Sequence, residues 1–381
     1  MAPKLTVLMP VFNGERYLRQ AVVSILGQTM RDFELIIADD GSTDETSAIL
    51  TAIEREDARI RVVRNEANIG IARSMNKLFG LAQGEYINRH DADDVSLPER
   101  FEQQVAFLDA NPEIGLVSSQ VAVIDDEGRP LELDMYSGPS DNDTLQQQLL
   151  SRCPLCQTSV MFRRRLLDTV GVYNEALEPA EDYDLWLRLA EVTRLARLPQ
   201  WLCQYRHHSA SISHRRSGDQ LQHTAEALAK AAARRFGDRA PPSLNTRIAL
   251  FYAWGAEKYC HAGDLEAARR CLISTLAFDP DQFALGHVNL PIPPMDTRLA
   301  FAESVFQAVP HLPNWTQVRA RFLSSLRMKE VFEAVEQGRT EPIDANLWAA
   351  LRSDLRWLFN RGVLSIALRS GLRRIGSMGQ V

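Results

Sequence analysis

The chain has 381 residues, 45% of them hydrophobic and 24% charged, which excludes a disordered polypeptide and exceeds what one hydrophobic core usually fills, so two modules are expected. A formal net charge of −6 excludes a general nucleic-acid binder, whose affinity would rest on Lys and Arg neutralising phosphates. Five cysteines, an amino terminus without the pattern of a secretory signal and no apolar run near the ~18 residues of a membrane span predict reduced thiols and a cytoplasmic location.

Strand-like and helical patterns alternate through the first half. Leu5 to Met9 reads as a buried strand, and Leu18, Val22 and Ile25 then recur at helical spacing. Phe33 to Ala38 is a second strand; it ends in Asp39-Asp40-Gly41-Ser42, where Ser42 and Glu45 match a capping box that would open a helix. Ile60 to Val63 is a third strand, and Ile71, Met75 and Leu78 mark the next helix. Tyr86-Ile87 enters a fourth strand running into Asp91-Ala92-Asp93-Asp94, after which Ser96 and Glu99 form a second capping box before the helical face Phe101, Val105 and Leu108. Leu116 to Ile124 returns as a strand. This βαβα order predicts an α/β architecture: a mostly parallel sheet with helices on both faces, whose ligands bind at the carboxyl ends of the strands. Both acidic clusters, 39–40 and 91–94, fall at such ends.

From about Ser217 the pattern is helical. Tyr252, Tyr259, Gly263, Ala268 and Pro280 fit one tetratricopeptide-like helix–turn–helix over residues 249–280, and Pro291 to Pro294 reads as a connector. The expected modules are therefore residues 1–216, carrying the chemistry, and an all-α module over 217–381 that could serve a protein partner. The tail from Leu355 mixes Trp357, Leu358, Phe359, Leu364 and Ile366 with Arg356, Arg361, Arg369, Arg373 and Arg374. Such a segment suits either docking on its own module or peripheral contact with the inner face of an anionic membrane.

Three carboxylates within residues 91–94 suit a hard divalent cation, Mn2+ or Mg2+, which binds one or two carboxylates together with phosphate oxygens. A solvated acidic turn is the plainer account of the same residues. Asp39 and Asp40 can accept hydrogen bonds from a base imide or a ribose hydroxyl, or can cap the following helix. No G-x-G-x-x-G or P-loop pattern occurs. Cys153 and Cys156 form a lone C-x-x-C with no second pair at zinc spacing, which reads as a neutral loop. Glu181, Asp182 and Asp184 precede the apolar face Leu185, Trp186 and Leu189, placing three acids in a helix's first turn, where the dipole favours them. Mutual repulsion can raise the pKa of one of them toward a value useful for a general base.

Taken in order, the runs from Met9 to Leu18, Ser24 to Thr29, Asp39 to Asp44, Asn68-Ile69-Gly70, Asp91 to Asp94, Ser159 to Arg163 and Glu181 to Arg188 resemble an inverting family 2 glycosyltransferase of the GT-A fold over about residues 4–214. The resemblance implies that Pro10, Phe12, Asp40 and Asp39 border the nucleoside of a nucleotide sugar, that Arg73 is a phosphate or base contact, and that Asp91 and Asp93 bind the donor. It implies a metal near Asp93 and Asp94, Asp182 as catalytic base, and His208, in the run Tyr205 to His208 with Ser211 and Ser213, near the diphosphate and metal. Cys156 and Gln157 occupy a segment that is variable in the family and shapes the acceptor side. The expected partners are a nucleotide-sugar donor, UDP-linked by resemblance, and a glycan, lipid-linked or protein acceptor. A non-catalytic nucleotide-sugar-binding scaffold and a nucleotidyltransferase are the rival functions; the second expects a Gly/Arg/Lys phosphate loop after the first strand, where Pro10 to Gly14 stands instead.

Overall fold

The computed structural model describes every residue except 1, 134, 137, 139–140, 210, 212–214, 285–286, 313, 340–342 and 369–381. Ser213, Arg369, Arg373 and Arg374 therefore lie outside the described residues. The chain forms two compact units that divide between Ala240 and Pro241.

The first unit is built on one eight-stranded sheet: β1 (Leu5–Val11), β2 (Phe33–Asp39), β3 (Ile60–Arg64), β4 (Tyr86–Arg89), β5 (Val95–Ser96), β6 (Ile114–Ile124), β7 (Met161–Arg163) and β8 (Arg194–Arg206), in the order β3-β2-β1-β4-β7-β6-β8-β5. The strands β3, β2, β1 and β4 are mutually parallel, β7 runs antiparallel between β4 and β6, β8 lies parallel to β6, and β5 pairs antiparallel with β8. All seven residues of β1 are buried, as a central strand covered on both faces must be. Its Leu5, Val7 and Met9 pack with Leu18, Val22 and Ile25 of helix α1 (Leu18–Leu26) and with Phe101, Val105 and Leu108, so both apolar periodicities in the sequence face one core. Helix α3 (Ile71–Leu81) covers the other face of β1 and β2 with Met75, Leu78 and Phe79.

Both capping boxes fail, for a tertiary reason. Helix α2 (Thr46–Glu56) starts without either Ser42 or Glu45 capping it, because the Ser42 hydroxyl accepts from Asn13 N (3.0 Å) and Thr46 N donates instead to Asp44 (3.0 Å). Ser96 lies in β5, accepts from the buried Arg100 (2.8 Å), and leaves helix α4 (Arg100–Ala110) without a side-chain cap.

Two glycines are required, one in the loop after β2 and one in the loop between β3 and α3. Gly41 has φ +73° and an added Cβ would lie 2.5 Å from the Ala67 carbonyl carbon; Gly70 has φ +93° and an added Cβ would meet Glu178 Oε2 at 2.8 Å. Gly41→Ala is expected to destabilise the protein by about 2 kcal/mol or more, combining left-handed strain with a backbone clash. Chemical denaturation would read this as a lower midpoint with an unchanged slope.

Helices α5 (Asn142–Leu149), α6 (Leu167–Val170) and α7 (Glu181–Leu189) follow in the first unit, and helix α8 (Ser217–Phe236), which the change of composition near Ser217 groups with the carboxy-terminal module, belongs to that unit too. It buries Ala225, Ala227, Leu228 and Ala231, and Arg234 grips Glu191 at 2.8 Å. The second unit is helical. Pro242–Ala262 ends at Gly263 in the left-handed conformation and Leu265–Phe278 follows, with Tyr252 stacked on Phe278 at 6.0 Å. Phe283, Phe306 and Phe322 form an aromatic centre with centroids 4.7 to 6.0 Å apart. In the described part of the tail Trp357, Val363 and Ile366 turn inward onto a cluster around Val331 and Leu347, while Phe359 stands 88% exposed. Among the described residues no helix is long and apolar enough to cross a membrane.

Candidate active site

The parallel register places the ends of β2, β1 and β4 side by side: Val11 lies opposite Asp39, and Leu8 opposite Arg89. The loops leaving these strands form one rim. Asn13, at φ 51°, accepts from Thr43 N (2.8 Å), and Gly14 N donates to Thr46 Oγ1 (2.9 Å), knitting the β1 loop to the β2 loop. A Cβ on Gly14 would sit 3.9 Å from the Cβ of Ala92, which brings the acidic loop 91–94 beneath it.

On this rim Pro10 is buried within β1, whereas Phe12 leaves the strand 47% exposed, an apolar ring open to a ligand's planar face. Asp39 and Asp40 are committed to the backbone around them. Asp39 accepts from Ser42 N (3.0 Å) and from the Ser47 hydroxyl; Asp40 accepts from Ile69 N and Gly70 N, both at 3.0 Å, and from Asn65 at 2.9 Å. These two carboxylates thus fix the Gly41–Ser42 and Asn68–Gly70 loops, which explains why acids stand at 2% and 4% exposure. Arg73 is on the surface, paired with Glu175 at 2.9 Å.

The acidic loop splits by direction. Asp93 faces outward and meets His208 Nε2 at 2.9 Å; the His208 ring lies 5.4 Å from that of Tyr17. Asp94 turns inward, fully buried, and accepts from Arg206 N (2.8 Å), tying the loop to the strand that precedes His208. Burial, and then the charges of Asp93 and Asp91, push the Asp94 carboxyl well above the usual range. Arg206 completes this corner by donating to Asp93 O, Asp125 O and Gln20 Oε1 at 2.8 to 2.9 Å beneath the Tyr17 ring. His90 is buried and neutral, its pKa lowered to about 3 by burial and then by Arg100.

The third component is helix α7 (Glu181–Leu189), which carries all three acids in its first turn as the sequence predicts. Trp186 and Leu185 anchor it in the core, and Arg188 bonds Asp184 (2.8 Å) and the carbonyls of Val170 and Val172. The partly buried Asp182 accepts from Tyr183 N (2.7 Å), and burial, partly offset by Arg89, raises its pKa above the ordinary carboxylate value. Glu181 is pushed up to about 7 by burial, again against Arg89, with the Asp182 charge adding to the rise.

Arg89 joins the acidic loop to this helix, and it is the residue sequence reasoning missed. Its guanidinium, 7% exposed, reaches Asp91 at 3.1 Å, and Glu181 and Tyr173 Oη at 3.2 Å. The Gln157 amide, in the orientation that satisfies every neighbour, accepts from Arg89 Nε (3.1 Å) and Tyr173 Oη (3.0 Å) and donates to Asp182 Oδ2 (3.2 Å). An arginine at the end of a buried strand, shortly before an acidic run, was the available signal.

None of the five cysteines is in a disulfide, and Cys156 packs with Val121 and Cys203 in an apolar cluster. Among the described residues no three His, Cys, Asp or Glu side chains converge as a ready-made metal site. The outward pair Asp93 and His208 does fit a divalent cation that takes its remaining ligands from phosphate and water. The inward Asp94 does not fit as a direct ligand in this conformation.

The family model described as Glycosyl transferase family 2 matches residues 6–171. An uncharacterized glycosyltransferase of Methanocaldococcus jannaschii is 31% identical over 54% of this chain and 71% of its own length. One from Haemophilus influenzae is 29% identical over 55% and 68%. Residues 1–349 of TarS from S. aureus, solved with UDP-GlcNAc, share the fold with a TM-score of 0.59 at 19% identity, covering 89% of this chain and 93% of that one. By the family match and by 31% identity to a glycosyltransferase of which it covers 71%, the chain belongs to glycosyl transferase family 2.

Proposed function

We propose that this protein transfers a sugar from a nucleoside diphosphate donor to an acceptor hydroxyl with inversion at the anomeric carbon. The observation that carries the reading is the convergence of Asp182 and the Asp91–Asp93 loop through Arg89, beside the Asp93–His208 pair. In this scheme Asp182 takes the proton of the acceptor hydroxyl as its oxygen bonds to the anomeric carbon and the bond to the diphosphate breaks. A single base suffices, whereas a glycoside hydrolase would need two carboxyl groups flanking the bond. Asp93 and His208 would hold Mn2+ or Mg2+, which when bound supplies countercharge for the departing diphosphate. Phe12 offers the nucleoside a stacking face, and Asp39 and Asp40 shape the surrounding loops. The fold shared with a protein solved with UDP-GlcNAc makes a UDP-sugar the first donor to test. Calorimetric titration should give saturable binding of a UDP-sugar with added Mn2+; binding of GDP-sugars alone would overturn the UDP assignment.

The catalytic module in this reading includes α8, and the helical second unit serves acceptor selection or a protein partner. A chain ended after Ala240 is expected to keep the donor affinity of the full protein. One ended after Arg216 exposes the face that α8 covers and should melt several degrees lower. Equal melting temperatures for the two would place α8 outside the catalytic module.

A further inference from the structure

The amide of Gln157 occupies an unusual position, one side chain linking a buried cation to a carboxylate that the cation does not itself touch. It receives hydrogen bonds from Arg89 Nε and Tyr173 Oη on its oxygen and gives one from its nitrogen to Asp182 Oδ2. Gln157 is itself only 9% exposed and sits in a 3-10 turn, Gln157–Ser159, fixed from behind: the Ser159 hydroxyl donates to Cys156 O at 2.8 Å, and Ser159 O accepts from Gln104 at 2.8 Å. Tyr173 is held in turn by an edge-on contact with Phe79 at 5.1 Å and by its own N–H, which donates to Asn76 at 3.0 Å.

We infer that Gln157 is a positioning residue for the catalytic base, orienting the Asp182 carboxylate toward the acceptor and stabilising its ionised form by relaying the field of Arg89. The inference rests on the reading of Asp182 as base. Physically, Arg89 polarises the amide through its oxygen, which strengthens the N–H donor on the far side, and a donor aimed at a carboxylate favours the charged state. The groups facing Asp182 are Arg89 and Asp91 from the end of β4 and its loop, Tyr173, Cys153 and Tyr136 from the loops packed over it, and Glu181 from its own helix. Arg89 is the one cation among them, so the route by which its charge reaches Asp182 sets the basicity of the site.

The experiment compares kcat, donor KM and the pH dependence of kcat in the full chain for the wild type, Gln157→Met and Tyr173→Phe. Gln157→Met keeps the side-chain length but removes the relay; a hydrogen bond to a charged group is worth about a 10- to 100-fold change in rate when lost. The expected result is a kcat lowered by that factor, a donor KM within about twofold of wild type, and an acid limb moved to higher pH by about one unit, because a base deprived of its donor stays protonated longer. Tyr173→Phe retains the ring packing and should move the limb in the same direction by less. It also keeps the test decisive if Gln157→Met fails to fold. Acid limbs that coincide with wild type in the folded variants overturn the inference, whether or not kcat falls. Asp182→Asn, measured alongside, separates the two layers: if it keeps wild-type turnover the base assignment itself fails, and if it is inactive while the limbs coincide only the role of Gln157 fails.

Discussion

Replacing Asp182 by Asn is expected to lower the transfer rate roughly 10²–10⁴-fold while donor affinity stays near that of the wild type. The substitution preserves size and leaves an oxygen that can still accept from Tyr183 N, but it removes the basic oxygen. The first turn of α7 should remain intact, since Asn is at least neutral at such a position and the helix is anchored by Trp186, Leu185 and the Arg188 bonds rather than by Asp182. A melting temperature close to wild type would therefore accompany the lost rate. The pH profile adds a sign. Burial raises the Asp182 carboxyl above its ordinary value, so the wild-type rate should climb with pH through a limb lying above the usual carboxylate range, and the Asn variant should have no such limb. Because Asp182 and Glu181 share one buried neighbourhood, that limb belongs to the pair. A fall in donor affinity equal to the fall in rate would move Asp182 into the nucleotide site and make Glu181 the next base to test.

The second large effect concerns the cation, and the structure divides the acidic loop into residues with different expected behaviour. Transfer should stop in excess chelator and return on adding Mn2+ or Mg2+. Asp93→Asn should weaken activation by the metal and lower the rate at least about 10²-fold with little change in melting temperature, because the Asp93 carboxylate is partly exposed and its bond is to the side chain of His208. Asp94→Asn is the control. Its carboxamide oxygen can still accept from Arg206 N, so if Asp94 positions the loop from within, the variant keeps most of the wild-type rate and metal response. Losses equal to those of Asp93→Asn would mean that Asp94 swings outward to the metal when donor binds. Full activity in chelator would remove the cation from the mechanism.

Much of this molecule was legible without coordinates because its early elements are dictated by local periodicity. The strands Leu5–Val11 and Phe33–Asp39 run almost uninterrupted in apolar residues, the helices that follow them repeat apolar residues at three and four, and this alternation forces a parallel arrangement whose strand ends gather the acidic clusters. The acids in the first turn of α7 were equally readable, being followed at once by an apolar helical face. What the sequence could not decide was direction and partnership. Nothing local distinguishes Asp93, which looks out at His208, from Asp94, which looks in at Arg206 N; the distinction arises from where β8 passes, more than a hundred residues later. Ser42 and Ser96 carry the chemistry of helix caps, yet Asn13 claims the Ser42 hydroxyl across the fold, and pairing with β8 draws Ser96 into β5, where its hydroxyl accepts from Arg100. The clearest case is Arg89. In sequence it is one residue of a strand; in the folded chain a buried cation must be neutralised, and the carboxylates that do so, Asp91 and Glu181, are brought together from separate elements by the cost of leaving that charge unpaired.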